Sequence, residues 1–98
     1  MKVRFTKEAE TNLETIADYI ASDNPKRALS FVAEIRLKAL DIGTFPEAFP
    51  VVGRYEANKV RRRVYSDYLI FYRIFDNHVE VLQVIHGATS PAAWRLKG

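Results

Sequence analysis

The sequence predicts one α+β domain in which a strand and two helices precede a three-stranded antiparallel meander. Two observations support this prediction. The spacing of apolar residues changes from 3.6 residues to two near residue 59, and helix-start signals stand at Thr6 and at Asn24-Pro25. Two domains cut from 98 residues would each fall below the size at which a core usually supports itself, so residues 1–98, 48% of them hydrophobic, are expected to form a single domain.

The first half of the chain predicts a strand and a helix hairpin. Residues 2–5 alternate charged and apolar side chains and are predicted as a strand. A helix from about 7 to 22 follows, with Thr6 as its N-cap. Its apolar stripe is Ala9, Leu13, Ile16, Ala17 and Ile20.

A second helix is expected from Pro25 to about residue 42, with Asn24 as N-cap and Gly43 ending it in the left-handed conformation. Its apolar stripe is Ala28, Phe31, Val32, Ile35, Ala39 and Ile42, widened by Leu29 and Leu40. Because few residues connect the two helices, they are predicted to pack antiparallel.

The second half predicts an irregular loop and then three strands. Residues 44–54 contain two Phe-Pro pairs and a glycine, which exclude regular structure, and their apolar side chains are expected to pin the loop to the core. The runs 59–65, 68–75 and 78–86 are rich in β-branched and aromatic residues. Ser66-Asp67 and Asp76-Asn77 separate these runs as turns, so the prediction is a meander.

Two-residue turns fix an expected register for this meander. The expected pairs are Val64 with Leu69, Arg62 with Phe71, Phe75 with His78, Arg73 with Glu80, Phe71 with Leu82, and Leu69 with Val84. The helices are expected to cover the face that holds Ile70, Tyr72, Ile74, Val79, Val81 and Ile85. The opposite face is expected to stay partly open, and it holds Val60, Arg62, Val64, Leu69, Phe71, Arg73, Glu80, Leu82, Val84 and His86.

Positive charge is concentrated in the second half of the chain. Residues 1–50 contain 7 Lys or Arg against 8 Asp or Glu, whereas residues 51–98 contain 8 against 4. Within residues 54–63 the basic side chains are Arg54, Lys59, Arg61, Arg62 and Arg63, with Glu56 as the one acid. This cluster indicates an anionic partner, either nucleic acid or an acidic peptide; the alternative is an edge strand kept soluble by its charge.

Few residues suit catalysis. His86 ends the last strand and is either a general acid or base or a histidine hydrogen-bonded to backbone. No nucleophile elbow, phosphate-binding loop or zinc motif is present, and the absence of cysteine indicates a reducing compartment. We therefore expect no metal, no cofactor, no membrane insertion and a cytoplasmic location. Trp94 is expected to pack its tail on the sheet or to belong to a contact surface.

Several strings in order carry a family resemblance: KVRF, EAETNLETIADYIASDNPKRA, FPVVGR, the strand with Arg61, and YLIFYRIFDNHVEVLQVIHGA. Together they resemble the RelE/ParE superfamily of bacterial type II toxins over nearly the whole chain. The strings DYIASDNPKRA, Y-x-I-x-Y-R-I and V-I-H-G-A are most similar to the ParE branch. The resemblance implies a β-α-α-β-β-β toxin that a cognate antitoxin holds inactive by wrapping around it.

The two branches imply different targets. ParE-like toxins trap DNA gyrase on cleaved DNA and need no cofactor, whereas RelE-like toxins cut mRNA in the ribosome with basic residues and a C-terminal tyrosine. This chain reads Gly87-Ala88-Thr89-Ser90-Pro91 where both branches commonly have an arginine, and its tail lacks tyrosine. The resemblance therefore favours a gyrase inhibitor over an enzyme. The alternatives are a ribosome-dependent mRNA endoribonuclease and a non-toxic antitoxin-binding relative.

The resemblance and the charge pattern together yield a set of expected site residues. The expected binding residues for antitoxin or target are Arg54, Lys59, Arg61, Arg62, Arg63, Arg73, His86 and Trp94. His86 is a catalytic candidate only under the ribonuclease alternative. The expected partners are the antitoxin and gyrase, and direct contact with nucleic acid is a secondary expectation.

Overall fold

The structure is a computed structural model that describes residues 1–94 and 96. Its elements are strand β1 (Lys2–Phe5), helices α1 (Lys7–Ala21) and α2 (Pro25–Asp41), a 3-10 segment (Gly53–Asn58), strands β2 (Arg61–Tyr65), β3 (Tyr68–Ile74) and β4 (His78–His86), and a 3-10 turn (Pro91–Ala93). This order confirms the predicted α+β class and both predicted helices.

Both helices begin at the predicted N-caps. Thr6 Oγ1 accepts a hydrogen bond from the Ala9 N–H at 3.0 Å, and Asn24 Oδ1 accepts one from the Arg27 N–H at 3.1 Å. Each bond satisfies a backbone donor that the first helical turn leaves unpaired. The side chains buried on the two helices are Ala9, Leu13, Ile16, Ala28, Phe31, Ile35 and Ala39.

The prediction that Leu29 and Leu40 widen the buried stripe of α2 is wrong. Leu29 is 79% exposed and Leu40 is 49% exposed. Each follows a buried alanine, Ala28 or Ala39, and one residue turns the side chain by about 100° around the helix axis. That rotation carries both leucines off the face that packs on the sheet.

Gly43 follows α2 as predicted, but the predicted left-handed conformation is wrong. No described glycine has a positive φ, and the cap residue Ile42 is right-handed. A Cβ at Gly43 would instead lie 2.1 Å from the backbone oxygen of Met1. The glycine is therefore required because the start of the chain passes directly over it.

The sheet has the order β1-β4-β3-β2, with β1 parallel to β4 and the other pairs antiparallel. The expected pairs Val64–Leu69, Arg62–Phe71 and Arg73–Glu80 are observed, and the Phe75 N–H bonds the His78 carbonyl at 2.8 Å. The predicted meander is therefore correct around both of its turns.

A β-bulge changes the register in the second half of β4. Tyr72 opposes Val81, but its neighbour Phe71 opposes Gln83, and Leu69 opposes Ile85. The expected pairs Phe71–Leu82 and Leu69–Val84 are therefore wrong. The one-residue shift exchanges the faces of the residues that follow, so Val84 joins the helix-side core and Ile85 packs on the opposite side.

The face expected to stay partly open carries a second core. Trp94 and Leu96 are each 8% exposed there and cover Val60, Leu69, Phe71 and Leu82. The Trp94 and Phe71 ring centroids are 4.7 Å apart, so the tail packs on the sheet as expected.

The loop before β2 is held against both cores. Phe49 packs against the helix-side core and Val52 against the second core, while the Tyr72 hydroxyl donates to the Pro46 carbonyl. Phe45 is 69% exposed, so the expectation that it is buried is wrong.

Candidate interaction surface

Arg61 and Arg63 direct their side chains to the helix side of the sheet, where they bind their own chain. Arg61 Nη1 donates to the Phe49 carbonyl at 2.7 Å and to the Glu47 carbonyl at 3.3 Å. Arg63 Nη1 donates to the Lys38 carbonyl and to Asp41 Oδ2, both at 2.9 Å. These two arginines therefore fasten the loop and the end of α2 to β2.

Arg63 is further held by an aromatic ring. Its guanidinium lies 4.6 Å from the centroid of the Phe49 ring, and its side chain is only 15% exposed. A cation over an aromatic face is stabilised by the ring quadrupole, more so when it is partly desolvated. Arg63 therefore has a ring contact in addition to two hydrogen bonds, whereas Arg61, also on β2, has two hydrogen bonds.

Arg62 lies between them and faces the other way, over the second core, because it opposes Phe71. Arg54 and Lys59 flank the same core, since Tyr55 from their loop packs into it. Within residues 1–94 and 96, none of these three basic side chains forms a hydrogen bond or an ion pair. They remain available to an anionic partner.

Strand β1 adds two basic residues to this face. Val3 and Phe5 pack on the helix-side core, so the alternate residues Lys2 and Arg4 point to the opposite side. In the register of the sheet Arg4 on β1 lies opposite Glu80 on β4, and Glu80 lies opposite Arg73 on β3. We call this face the basic surface, and its cations are Lys2, Arg4, Arg54, Lys59, Arg62 and Arg73.

Sequence reasoning missed Lys2 and Arg4. Their alternation with two apolar residues was visible, but it could not show which strand β1 pairs with. The parallel pairing of β1 with β4 brings them beside Glu80 and Arg73. The basic surface therefore combines cations from three strands and one loop.

The basic surface also holds an imidazole and a carboxylate. His78 Nε2 lies 3.4 Å from Glu80 Oε2, and the His78 ring stacks on Phe75 with centroids 5.0 Å apart. The His78 side chain is 15% exposed. Glu80 offsets part of the positive charge of the neighbouring arginines.

His86 lies on the other side of the sheet, against α1. Its Nδ1 accepts a hydrogen bond from the Ala88 N–H at 3.0 Å, and its ring meets Tyr68 edge-on at 5.1 Å. It lines a groove of about 520 Å³ whose walls include Asn12, Tyr19 and Tyr68. Burial raises the pKa of the Tyr68 phenol above its ordinary value.

The geometry therefore separates the sequence-predicted residues into four groups. Arg54, Lys59, Arg62 and Arg73 belong to the basic surface. Arg61 and Arg63 brace β2, and His86 belongs to the groove beside α1. Trp94 is buried in the second core under the tail, where it stabilises the chain's own fold.

The described part of the chain has few other chemical features. Residues 1–94 and 96 contain no cluster of three or more His, Asp or Glu side chains placed to hold a metal ion. Neither helix in those ranges combines the length and apolar character that a bilayer crossing requires. What the surface offers is charge-assisted hydrogen bonding to anionic groups.

Comparison with known proteins adds two findings. Residues 3–91 match the family model described as "ParE toxin of type II toxin-antitoxin system, parDE". A solved structure titled "Chromosomal ParDE TA system from P. aeruginosa" is similar with a TM-score of 0.76 and 18% identity, covering 88% of this chain and 95% of that chain. At this identity the likeness shows a shared fold. The search of curated proteins found no match.

Proposed function

The chain belongs to the ParE toxin family of type II toxin-antitoxin systems, and on that premise we propose that it is a DNA gyrase poison neutralised by a cognate antitoxin. The observation that carries the proposal is the basic surface. Its cations Arg54, Lys59 and Arg62 are not paired with any side chain in residues 1–94 and 96. Like charges held together are stabilised when an acidic partner binds.

Antitoxin binding follows from the charge and the shape of this surface. An antitoxin segment that places acidic side chains beside Arg54, Lys59 and Arg62 gains charge-assisted hydrogen bonds. Exposed rim pairs each contribute only about 0.2 to 1 kcal/mol, so apolar contacts supply most of the affinity. Val64, which is 60% exposed on β2 beside Arg62, is one such apolar contact.

The action on gyrase is proposed to depend on binding and not on proton transfer. The histidine nearest the end of β4, His86, is on the opposite side of the sheet from Arg62, and its Nδ1 is used by the Ala88 N–H. General acid–base catalysis requires a titrating group within hydrogen-bond reach of the reacting atoms. A toxin that traps a protein–DNA intermediate needs only complementary charge and shape.

An mRNA endoribonuclease is the second candidate, and one observation favours it. His78 and Glu80 lie on the basic surface, where Arg4 and Arg73 flank Glu80. An imidazole and a carboxylate among arginines could assist cleavage of a phosphodiester. The 15% exposure of the His78 side chain and its stacking on Phe75 limit its contact with RNA.

The deciding experiment treats supercoiled plasmid and gyrase with the purified chain, and in parallel adds the chain to translating ribosomes. We expect cleaved plasmid trapped with gyrase and intact mRNA. Replacing Arg54 and Arg62 with Ala should raise the toxin concentration needed for trapping about tenfold to a hundredfold. This is the effect expected from losing a charge-assisted hydrogen bond. Lys7→Ala removes one positive charge from α1 and should leave trapping unchanged.

Two results would overturn the proposal. Codon-positioned mRNA cuts without gyrase trapping would assign the chain to the ribonuclease alternative, and loss of those cuts in His78→Gln would identify the catalytic imidazole. An Arg54→Ala, Arg62→Ala double variant as potent as the parent would remove the basic surface from the mechanism.

A further inference from the structure

The outer side of α2 carries an apolar face that nothing in the described chain covers. Leu29 is 79% exposed, Leu37 66% and Leu40 49%, and Ala33 lies between them. Spacings of four, four and three residues place these four side chains on one side of a helix. We call Leu29, Ala33, Leu37 and Leu40 the leucine face. Three exposed leucines on a single helix face are unusual for a protein surface that remains in water.

Several charges along α2 are paired within the chain, whereas Lys26 at the start of the helix forms no ion pair in residues 1–94 and 96. Arg27 Nη1 lies 2.6 Å from Glu34 Oε2, Arg36 pairs with Glu10 on α1, and Asp41 pairs with Arg63 on β2. This distinguishes the leucine face from the basic surface, where Arg54, Lys59 and Arg62 form no ion pair in residues 1–94 and 96. An acidic antitoxin segment finds its electrostatic complement on the basic surface, whereas the leucine face suits a partner that is itself apolar and near neutral.

We propose that this partner is a second copy of the chain, packed with its α2 antiparallel to the first about a two-fold axis. Such a contact uses the same patch on both copies. Reversing the helix sets Leu29 of one copy opposite Leu40 of the other. It also places Ala33 near the axis, where a small side chain lets the two helices approach closely.

The charges near the two ends of the leucine face are complementary in this antiparallel arrangement. Lys26 of one copy comes within about two residues, or about 3 Å along the axis, of the position opposite Asp41 of the other. The Asp41 side chain remains 61% exposed although its Oδ2 meets Arg63, so it can accept a second cation. In a parallel arrangement Lys26 would meet Lys26 and the complementarity would be lost.

The expected dimer is weak, because one helix face from each copy makes an interface at the small end of the known range. It is also independent of the proposed gyrase target, since it uses the side of the molecule that the basic surface leaves free. The chain can therefore dimerise with or without a partner on the sheet.

Sedimentation equilibrium of the purified chain tests the proposal over about 1 µM to 1 mM, where weak complexes form. The average mass should rise from one chain toward two. Leu37→Glu should weaken association at least about tenfold, because it places a charge in the centre of an apolar contact. Tyr19→Glu is the matched control: Tyr19 is a 75% exposed helical residue on α1, and its replacement should not change association.

Disulfide trapping tests the antiparallel geometry, because the chain contains no cysteine. Leu29→Cys and Leu40→Cys chains, mixed and oxidised, should form the mixed disulfide in excess over either homodimer. Predominant Leu29→Cys homodimers would overturn the antiparallel arrangement.

A constant single-chain mass over the whole concentration range would overturn the dimer. Equal association of Leu37→Glu and the parent, with unchanged circular dichroism, would remove the leucine face from it. A single-chain mass combined with loss of antitoxin binding in Leu37→Glu would assign the face to the antitoxin instead.

Discussion

Asn12 Oδ1 accepts a hydrogen bond from the backbone N–H of Val84 at 2.9 Å, which joins the middle of α1 to β4 just beyond its bulge. Strand β1 pairs with β4 only as far as Val81. Beyond that point side chains replace the missing strand, since the Thr6 hydroxyl donates to the Leu82 carbonyl at 2.7 Å. Two polar side chains thus satisfy a sheet edge that would otherwise lack partners.

Replacing Asn12 with Ala should lower the free energy of unfolding by about 1 to 3 kcal/mol, because the Val84 N–H loses its acceptor in a part-buried site. Asn12→Asp keeps an acceptor at the same position and should lose less. Urea unfolding followed by circular dichroism measures both. Equal losses in the two variants would mean that the acceptor itself contributes little.

Gly43→Ala should destabilise the fold by about 1 to 3 kcal/mol, since the new Cβ would overlap the Met1 carbonyl oxygen and force the backbone apart. Gly53→Ala is the control, because a Cβ there meets nothing within 4 Å. Its effect should stay within about 0.5 kcal/mol. Thermal unfolding of the two variants compares them directly, and a neutral Gly43→Ala would contradict the close approach.

The three consecutive arginines should respond differently to truncation. Arg63→Ala removes bonds to Lys38 and Asp41 and should cost about 1 to 3 kcal/mol of unfolding free energy. Arg62→Ala should change that free energy by less than about 0.5 kcal/mol, because its side chain binds nothing in residues 1–94 and 96. Arg62→Ala should instead slow antitoxin association and weaken its salt dependence, as measured by stopped flow.

The Arg36 guanidinium lowers the pKa of Glu10 below its usual value, mainly through their hydrogen bond. A carboxyl whose pKa is lower in the folded state stabilises the fold above its unfolded pKa and loses that contribution as the pH falls through the folded pKa. Glu10→Gln should therefore lower stability near pH 7 by about 0.2 to 1 kcal/mol, as expected for an exposed pair. The difference between parent and variant should shrink as the pH falls below about 4.5, the ordinary value for this group. Unfolding curves that stay a constant distance apart at all pH values would argue against the pair.

His86→Gln should leave gyrase trapping within a few-fold of the parent, because glutamine can still accept the Ala88 N–H and the proposed mechanism transfers no proton. The titration of trapped plasmid against toxin concentration measures this. A loss of about a hundredfold in a folded variant is the size expected for a missing general acid or base and would reverse our ranking of the two targets.

Local signals in the sequence predicted the elements and both helix starts correctly, because each depends on residues close together in the chain. Thr6 and Asn24 cap the helices as expected, and both meander turns lie where predicted. The bulge in β4 could not be found in this way. Val81, Leu82, Val84 and Ile85 are all apolar, so a period of two fits either register equally well.

The candidate site was only partly predictable for a similar reason. The run Arg61–Arg63 was visible, yet alternation along β2 sends two of its arginines to the helix side and one to the basic surface. The contribution of Arg4 depends on the pairing of β1 with β4, which are separated by more than seventy residues. Such long-range pairing leaves no trace in a local pattern.

Trp94 gives the protein a built-in optical reporter. It is the chain's single tryptophan, and its ring packs 4.7 Å from Phe71, whose strand neighbour is Arg62 on the basic surface. Indole emission changes with the polarity around the ring, so a partner seated on that face alters the fluorescence without any attached dye. Association through α2, on the far side of the sheet, leaves the same emission unchanged, and one spectrum can therefore distinguish the two kinds of contact.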